Sequence, residues 1–456
     1  MNNIGVFGIG VMGSAIAKNL LSHGYSVSVY NIDNEVTKKF IYSNDKAYGC
    51  YSLIDFINSL EKPRVILLMI TAGNPVDQVI EELIPLLSKG DIIIDGGNSY
   101  YLDTERRQNE LEKEGIYFIG CGVSGGEYGA EHGPCLMPSG NEEAYNYVSK
   151  MLCDIAAKTI TGDPCCEYIG EGGSGHFVKM VHNSIEYAEM QLIADLYNIY
   201  RSKDNSDTEI ISTFENINKG ILESYLLEIT INILKKSLIE NDLLHKISDV
   251  ARQKGTGKWA AEVSLEYNVP IPSLLAAVET RFISELKDDR INLSKSISHE
   301  KVCLENYEIN IRNALIASRL SVNSQGFYLI SVVSKKKQYR INLWKIAKIW
   351  QKGCIISSNL LDLISDVYKQ YDGILIGDSK ISEMIKESDP DLRKLCAYTI
   401  NADLYTPIIN SSFSYLNALT TPRLSTYVIQ AQRDYFGAHQ YERIDIPGKF
   451  HTNWQN

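Results

Sequence analysis

The sequence predicts an α/β domain built on a doubly wound, mainly parallel sheet, followed by a large all-α domain and an extended C-terminal tail. Up to about residue 170, short apolar runs alternate with helix-like stretches, and after Gly172-Gly173-Ser174-Gly175 the pattern changes to long amphipathic segments. The last residues are rich in aromatic residues and glycine. The predicted domains are therefore residues 1–175, 176–430 and 431–456.

The apolar runs of the first part are short and continuous. Strands that helices cover on both faces have this pattern, which therefore indicates a parallel sheet between two layers of helices. The five predicted strands are Ile4 to Gly8, Ser26 to Tyr30, Arg64 to Ile70, Asp91 to Asp95 and Ile116 to Ile119. Because ligands of such sheets bind beyond the carboxyl ends of the strands, we expect the functional residues there.

The second part is predicted to be helical because its apolar residues recur at helical spacing. The clearest segments are His176 to Tyr200, Leu222 to Lys236, Trp259 to Tyr267 and Leu274 to Leu286. In the final segment, Ala431 to Asn456, Pro447-Gly448 interrupts any regular pattern. We expect this segment to form an extended tail that reaches a neighbouring subunit.

Composition excludes several classes of function. The chain has 456 residues, of which 44% are hydrophobic and 22% charged, so it can bury a large core. A formal net charge of −11 argues against a general nucleic-acid or membrane-surface binder, which needs a broad basic surface. Apolar runs such as Val65 to Ile70 are too short to span a bilayer, and the strand-like start shows no secretion signal. We expect a cytoplasmic protein.

Cysteine and histidine usage fits this expectation. The nine cysteines show no C-x-x-C spacing, and Cys165 and Cys166 are adjacent. We interpret them as buried free thiols in a reducing compartment, with redox sensing as the less favoured alternative. The eight histidines form no recognisable ligand cluster, so the sequence predicts no metal site.

A dinucleotide-binding turn follows the first predicted strand. Gly8-Ile9-Gly10-Val11-Met12-Gly13 has the G-x-G-x-x-G spacing and leads into a helical pattern from Ser14 to Leu21. Glycines at these positions allow a tight turn, close approach to a pyrophosphate and close helix-to-strand packing, which is typical of a Rossmann-type domain. We predict that Gly8, Gly10, Val11, Met12 and Gly13 bind the cofactor; the alternative is a structural turn without a ligand.

The second predicted strand ends where such domains contact the adenosine ribose. Asn31-Ile32-Asp33-Asn34 follows this strand and contains no arginine. Asp33 is placed to accept a hydrogen bond from the 2′-hydroxyl of NAD, and an ordinary helix N-cap is the alternative. We include Asn31 and Asp33 among the predicted cofactor-binding residues.

A polar stripe interrupts the first apolar helix of the second domain. Lys179, His182, Asn183 and Glu186 stand at i, i+3, i+4 and i+7, on one narrow face. Burial of a lysine and a glutamate is costly unless they pair or serve chemistry. Such burial lowers the pKa of a lysine and raises that of a glutamic acid, giving a base and an acid that work near neutral pH. The alternative is a structural ion pair of Lys179 with Glu186.

Several further motifs stand beside that helix in the sequence. They are Asp95-Gly96-Gly97-Asn98-Ser99, Val123-Ser124-Gly125-Gly126, Gln253-Lys254-Gly255-Thr256-Gly257-Lys258-Trp259, Arg433-Asp434-Tyr435-Phe436-Gly437-Ala438-His439 and His451-Thr452-Asn453-Trp454. With them the chain closely resembles, over nearly its whole length, the 6-phosphogluconate dehydrogenase family, the decarboxylating enzymes of the pentose phosphate pathway.

The resemblance implies a role for each catalytic residue. Lys179 matches the general base, which takes the proton from the hydroxyl on the carbon β to the carboxylate while hydride leaves that carbon. The resulting β-keto acid loses carbon dioxide, and the protonated lysine can stabilise the enolate oxygen. Glu186 matches the general acid, which protonates the enediol to give ribulose 5-phosphate.

The resemblance also implies a set of substrate contacts and a homodimer. Residues that match contacts to the carboxylate and hydroxyls are Asn98, Ser124, Gly125, Gly126, His182 and Asn183, and Asn98 also matches a cofactor contact. Residues that match the phosphate pocket are Tyr187, Lys254, Thr256 and Arg281. Arg433 and His439 match residues that the partner subunit's tail supplies. Taken singly, the glycine loop, Arg281 and Arg433 have structural alternatives as a turn, a solvated charge and a surface ion pair.

Departures from the family pattern concern the nucleotide. Ile32-Asp33 stand where NADP-dependent members usually have Arg-Thr. NADP stays the cofactor that the resemblance implies, and we hypothesise relaxed or reversed selectivity towards NAD, with Lys38 or Lys39 as possible replacements for the arginine. The family's lysine before the Ala-Gly turn is Thr71 here, and Tyr128, His132 and Cys135 stand where Glu, Tyr and Ser are common.

Two other functions compete with this interpretation. The first is a β-hydroxyacid dehydrogenase that oxidises without decarboxylation, although such chains are usually shorter and lack the equivalents of Lys254, Arg281 and Arg433. The second is a nucleotide-sensing or scaffold protein that keeps the fold without turnover. Release of carbon dioxide distinguishes the first, and the effect of replacing Lys179 distinguishes the second.

Overall fold

The computed structural model describes residues 1–252, 255–297 and 308–454. Lys254, one of the predicted phosphate-binding residues, lies outside the described residues. The chain forms two compact units, one from Met1 to Ser412 and one that begins at Phe413. In the described ranges, no helix is both long enough and apolar enough to cross a membrane.

The first unit begins with a seven-stranded sheet and its helices. Strands β1 to β7 are Ile4–Phe7, Val27–Tyr30, Tyr48–Cys50, Val65–Leu68, Ile92–Asp95, Tyr117–Ser124 and Cys135–Gly140. Helices α1 to α7 are Val11–Ser22, Asn34–Ser43, Leu53–Asn58, Asn74–Leu83, Tyr101–Glu114, Gly126–His132 and Glu142–Ile155. The strand order is β3-β2-β1-β4-β5-β6-β7, and all neighbours are parallel except β6 and β7.

The sheet confirms the predicted doubly wound architecture. Apolar side chains on its strands enter two separate buried clusters, as expected when helices cover both faces. All five predicted strands are present. The sequence did not indicate β3, which has only three residues, or β7, whose sequence Cys-Leu-Met-Pro-Ser-Gly contains residues that are rare in strands.

The rest of the first unit is helical, as predicted. Helices α8 to α18 are Ser174–Arg201, Asp207–Ile217, Tyr225–Ile239, Thr256–Glu266, Pro272–Glu285, Lys287–Ser296, Ile311–Lys337, Leu343–Ile349, Leu360–Tyr368, Ser379–Asn401 and Pro407–Leu419, the last of which continues into the second unit. Helix α8 contacts β6 and β7 of the sheet as well as α11, α12 and α14. Gly175 allows this approach, because an added Cβ would lie 2.1 Å from the carbonyl oxygen of Met137. The division of the first unit at residue 175 stays a prediction.

The second unit contains helix α19, Thr426–Gly437, and a small hairpin of β8, Tyr441–Glu442, with β9, Lys449–Phe450. The extended part of the tail therefore begins at Ala438, seven residues later than predicted. The residues from 426 to 436 include no glycine or proline, so nothing in them prevents a helix. Gly437 and the left-handed Ala438 end it.

Candidate active site

The glycine turn after β1 has the geometry of a dinucleotide site. Gly8 has a φ of +94°, and an added Cβ at Gly13 would lie 1.9 Å from the Gly8 carbonyl oxygen, so neither position accepts a side chain. Gly10 faces open space and is the N-cap of α1 without a side-chain cap. The first N–H groups of α1, at Val11 and Met12, are thus available for an anion, and the turn fits a pyrophosphate.

The end of β2 carries the second half of this site. The Asn31 side-chain oxygen accepts a hydrogen bond of 3.0 Å from the Ile9 backbone N–H, which joins the β2 end to the glycine turn. Asp33 caps α2, since its carboxylate accepts a bond of 2.9 Å from the Glu35 N–H. The Ile32 side chain is 79% exposed and offers no polar atom to a ribose or its phosphate. Lys38 forms an ion pair of 2.8 Å with Glu35.

The polar stripe of α8 lies inside the protein and is connected by hydrogen bonds. His182 Nε2 lies 3.2 Å from the Ser124 hydroxyl, and its Nδ1 lies 3.2 Å from the Asn183 side-chain oxygen. Asn183 in turn donates a bond of 3.4 Å to Thr256. The strand end, α8 and the start of α11 thus present Ser124, His182, Asn183 and Thr256 in one connected set, and these are four of the residues that the resemblance implies for substrate binding.

Lys179 is buried and has no ion-pair partner among the described residues. Burial lowers the pKa of its ammonium below the usual value, and the charge of Glu186 opposes this only in part. Gly122 on β6 makes room for it, because an added Cβ there would lie 2.6 Å from the Lys179 Cβ. An unpaired amine with a lowered pKa is suited to be a general base.

Glu186 lies two turns further along α8, with its side chain 20% exposed. Burial raises the pKa of its carboxyl, while Lys179 and then Arg281 act to lower it. The nearest ionisable partner is His182, 3.7 Å away, but burial lowers the pKa of His182 far below its usual value, so this ring is neutral. Lys179 and Glu186 therefore share one electrostatic environment without forming the structural ion pair that was the alternative.

A second set of groups begins at Tyr187, the residue after Glu186. The Arg281 guanidinium stacks on the Tyr187 ring at 3.6 Å from its centroid and donates a bond of 2.9 Å to the Arg252 carbonyl. Gly257 allows α11 to approach, since an added Cβ would lie 3.0 Å from the Tyr187 ring. Arg281 thus places a positive charge near Glu186, whose pKa it acts to lower, and Thr256 stands next to Gly257 at the start of α11.

The loop after β5 carries Asn98 and is fixed by Asp95 and Ser99 of the same motif, together with Arg107, which the sequence did not single out. Asp95 is fully buried and accepts hydrogen bonds from the Gly97 N–H, at 3.0 Å, and the Ser99 hydroxyl, at 2.6 Å. Arg107 of α5, also buried, lies 3.6 Å from Asp95 and donates to Asp77 of α4 at 2.8 Å. No local pattern predicts this network, because its members are far apart in the sequence.

Two buried cysteines lie near Lys179. The eight described cysteines are all free, and seven are buried, as predicted. The thiols of Cys354 and Cys135 lie near enough to Lys179 to influence its pKa. Cys354 belongs to a loop whose Gly353 carbonyl would be 2.7 Å from an added Cβ on Gly125, so this loop packs directly on the glycine turn after β6.

The remaining predicted residues are not brought together by contacts within this chain. Asn98 and Gly126 are exposed, and Gly125 is half-buried. Arg433 and His439 are exposed residues of the second unit. Tyr128 and His132 stack on each other, with ring centroids 4.3 Å apart, along α6.

Two family models match the chain almost from end to end. The model described as the NAD binding domain of 6-phosphogluconate dehydrogenase matches residues 3–170. The model described as the 6-phosphogluconate dehydrogenase C-terminal domain matches residues 175–454.

The chain is similar to curated relatives and to a solved structure over nearly their full length. It is 45% identical to 6-phosphogluconate dehydrogenase, decarboxylating, of Staphylococcus aureus, with 99% of this chain and 98% of the relative covered. It is 39% identical to 6-phosphogluconate dehydrogenase, decarboxylating 1, of Oryza sativa subsp. japonica, with 100% and 98% covered. The Plasmodium falciparum 6-phosphogluconate dehydrogenase, solved apo, with NADP⁺ and with 6-phosphogluconate, has a TM-score of 0.95 at 37% identity, covering 99% of this chain and 100% of its own.

Proposed function

This chain belongs to the 6-phosphogluconate dehydrogenase family, and we propose that it oxidises and decarboxylates 6-phosphogluconate to ribulose 5-phosphate with Lys179 as base and Glu186 as acid. One observation carries the assignment of roles. The buried, unpaired Lys179 and the partly exposed Glu186 lie two turns apart on α8, beside the connected set of Ser124, His182, Asn183 and Thr256. Membership of this family supports a place in the pentose phosphate pathway.

Lys179 acts first in this proposal. Its lowered pKa keeps a fraction of the amine uncharged, so that it can accept the proton of the hydroxyl on the carbon β to the carboxylate. A bound NADP would accept the hydride from that carbon. The neutral His182 and the Ser124 hydroxyl are hydrogen-bonded to each other, and His182 lies near Lys179. They can hold the substrate carboxylate and hydroxyls without placing a further positive charge beside Lys179.

Lys179 and Glu186 then share the later steps. The newly formed Lys179 ammonium stabilises negative charge on the keto oxygen while carbon dioxide leaves the β-keto acid. Glu186, whose raised pKa keeps it protonated to higher pH than an ordinary glutamic acid, delivers a proton to the enediol carbon. Lys179 gives its proton to the keto oxygen to form the enediol and takes it back as Glu186 protonates the carbon. Transfer of this proton from Lys179 to Glu186 then restores both groups, so no separate proton donor is required.

The far end of the substrate is assigned to Arg281 and Thr256. The phosphate carries about two negative charges, and these residues offer it a guanidinium and a hydroxyl. We add Lys254, together with Arg433 and His439 of a partner subunit's tail, on the strength of the family resemblance. The proposal thus includes a homodimer in which each tail completes the other subunit's cleft. Free thiols at all eight described cysteines support a cytoplasmic location.

An assay on 6-phosphogluconate tests the proposal directly. We expect equal amounts of reduced nicotinamide, carbon dioxide and ribulose 5-phosphate, with no metal added. Oxidation without release of carbon dioxide would identify the chain as a hydroxyacid dehydrogenase instead. Absence of turnover with either nucleotide would identify a protein that keeps the fold but not the activity.

Cofactor selectivity gives a second prediction. NADP is the proposed cofactor, but the exposed Ile32 offers no donor to a 2′-phosphate, and the Asp33 carboxylate is close to its expected place. We therefore expect kcat/KM for NADP and for NAD to differ by less than about tenfold. Ile32→Arg adds a charge-assisted contact and should raise the ratio in favour of NADP by about 10- to 100-fold.

The matched control for this variant is Tyr42→Arg. Tyr42 is 93% exposed at the other end of α2, so the substitution adds the same charge away from the ribose site. We expect its selectivity to equal that of the wild type. A strong NADP preference in the wild type would show that Ile32 does not weaken NADP binding. A gain in NADP preference from Tyr42→Arg equal to that from Ile32→Arg would show that the position of the added charge does not matter.

A further inference from the structure

Asp434 is a buried carboxylate in an otherwise exposed part of the tail. Its relative exposure is 0%, and it is the one buried acidic residue in the described part of the second unit. Arg433, directly before it, and His439, five residues later, are both exposed. Burial of a charged group is costly, so a carboxylate in this position must be stabilised by several hydrogen bonds.

Four donors surround the Asp434 carboxylate. Oδ1 accepts from the Gln440 N–H and from His451 Nδ1, each at 2.9 Å. Oδ2 accepts from the Thr452 N–H at 3.0 Å and from the Trp454 indole N–H at 2.8 Å. Because a carboxylate only accepts, the hydrogen of His451 must be on Nδ1.

These bonds join three pieces of the tail. The backbone carbonyl of Asp434 also accepts from the Ala438 N–H at 2.9 Å, which closes the last turn of α19. Ala438 and Gln440, on either side of His439, have φ angles of 50° and 62°, a conformation that non-glycine residues rarely adopt. Such a turn persists because its surroundings hold it, and the bond from Gln440 to Asp434 is part of that support.

We propose that Asp434 is a positioning residue for substrate binding, which fixes Arg433 and His439 relative to each other before they enter the partner subunit's cleft. This inference rests on the proposed function. Arg433 is covalently next to the buried carboxylate, and His439 is next to Gln440, which that carboxylate binds. The two exposed side chains therefore project from two points of one hydrogen-bonded frame.

The charge of Asp434 is essential to that frame. Burial acts to raise its pKa, but the hydrogen bonds from Thr452, His451, Trp454 and Gln440 outweigh this effect and hold the pKa well below the usual range. The side chain is thus ionised throughout the pH range in which the enzyme works. In Asp434→Asn, either orientation of the amide places its NH₂ group against two N–H donors, so at least two of the four bonds are lost.

Steady-state kinetics of Asp434→Asn test the inference. We expect KM for 6-phosphogluconate to rise by about 10- to 100-fold, the effect of losing one charge-assisted contact to the substrate, while KM for NADP changes less than about twofold. The control is Asp445→Asn in the same tail, because Asp445 is exposed and pairs only with Arg443 in the described residues. It should leave both KM values unchanged.

A second variant covers the case in which Asp434→Asn does not fold. Trp454→Phe removes one donor to Asp434 and keeps an aromatic ring, so it should raise KM for 6-phosphogluconate by a smaller factor, about threefold to tenfold. Unchanged KM values in this variant would overturn the inference.

A mixed dimer separates a defect in the tail from one in the cleft. Asp434→Asn is co-expressed with Lys179→Met under two affinity tags, and the doubly tagged dimer is assayed. The cleft that keeps Lys179 then receives a tail with Asp434, so we expect the wild-type KM and about half the wild-type kcat. A KM that stays raised in the mixed dimer would overturn the inference, whereas failure of the wild type to turn over would instead refute the proposed function.

Discussion

Lys179→Met is expected to lower kcat/KM for 6-phosphogluconate by about 10³- to 10⁴-fold, because it removes both the base and the cation that stabilises the enolate oxygen. Methionine matches the length of the lysine stem and leaves no polar atom unpaired. Binding of the nucleotide to the glycine turn should be unchanged, since Gly8, Gly10 and Gly13 do not depend on Lys179. Steady-state rates and a nucleotide-binding titration measure the two effects separately.

The stability of this variant gives a second, independent result. A buried lysine without an ion-pair partner is costly to the folded state, so Lys179→Met should unfold at the same or a higher temperature than the wild type. The control is Lys150→Met, because Lys150 is 84% exposed and pairs with Asp154 on the surface. It should keep its full activity. A Lys179→Met enzyme within tenfold of wild-type kcat/KM would show that another group removes the proton.

The polar stripe of α8 could be predicted because helical periodicity is a local property. Lys179 and Glu186 stand on one face of any helix that contains them, and the apolar residues between them are sufficient to predict burial. The glycine turn could be predicted for a similar reason. The positive φ at Gly8 and the close packing at Gly13 require glycine wherever this turn occurs. For Asp33 the sequence allowed either a contact to the ribose 2′-hydroxyl or a helix N-cap, and the structure shows its carboxylate as the N-cap of α2.

Features that depend on distant residues could not be predicted. The contact of Arg107 with Asp95 and Asp77 crosses from α5 to β5 and α4, and no spacing encodes it. Strand β7 could not be predicted because its pairing with β6, rather than the strand preference of its own residues, makes it a strand. The hydrogen bonds of Asp434 also join residues up to Trp454, which no helical or strand pattern connects.

Glu186→Gln is expected to lower kcat by about 100-fold or more, and to lower KM for 6-phosphogluconate as well, because the slowed step follows oxidation. Glutamine keeps the shape of the side chain but cannot deliver a proton to the enediol. In the proposed order, oxidation precedes this protonation, so the first turnover should still release about one reduced nicotinamide per site before the slow phase. Rapid mixing followed by steady-state measurement detects the two phases.

A matched control for this variant lies three residues further along α8. Glu189 is buried, whereas Glu186 is partly exposed, and Glu189 pairs with Arg319 at 2.8 Å and serves the structure. Glu189→Gln should therefore lower the free energy of unfolding by about 1–3 kcal/mol and leave kcat within a few-fold of the wild type. The opposite pattern, a loss of kcat in Glu189→Gln with little change in Glu186→Gln, would contradict the assignment of the acid.

The pH profile of Glu186→Gln tests which residue sets each limb. Because the base must be uncharged, log kcat should fall at low pH as Lys179 gains its proton, and burial places this limb below the usual lysine pKa. Glu186 is protonated and uncharged in the form that turns over, so its replacement by glutamine should leave this acid limb in place. The wild-type limb at high pH, where Glu186 loses its proton, should disappear, since glutamine does not titrate. A high-pH limb that remains in Glu186→Gln would show that another group supplies the proton.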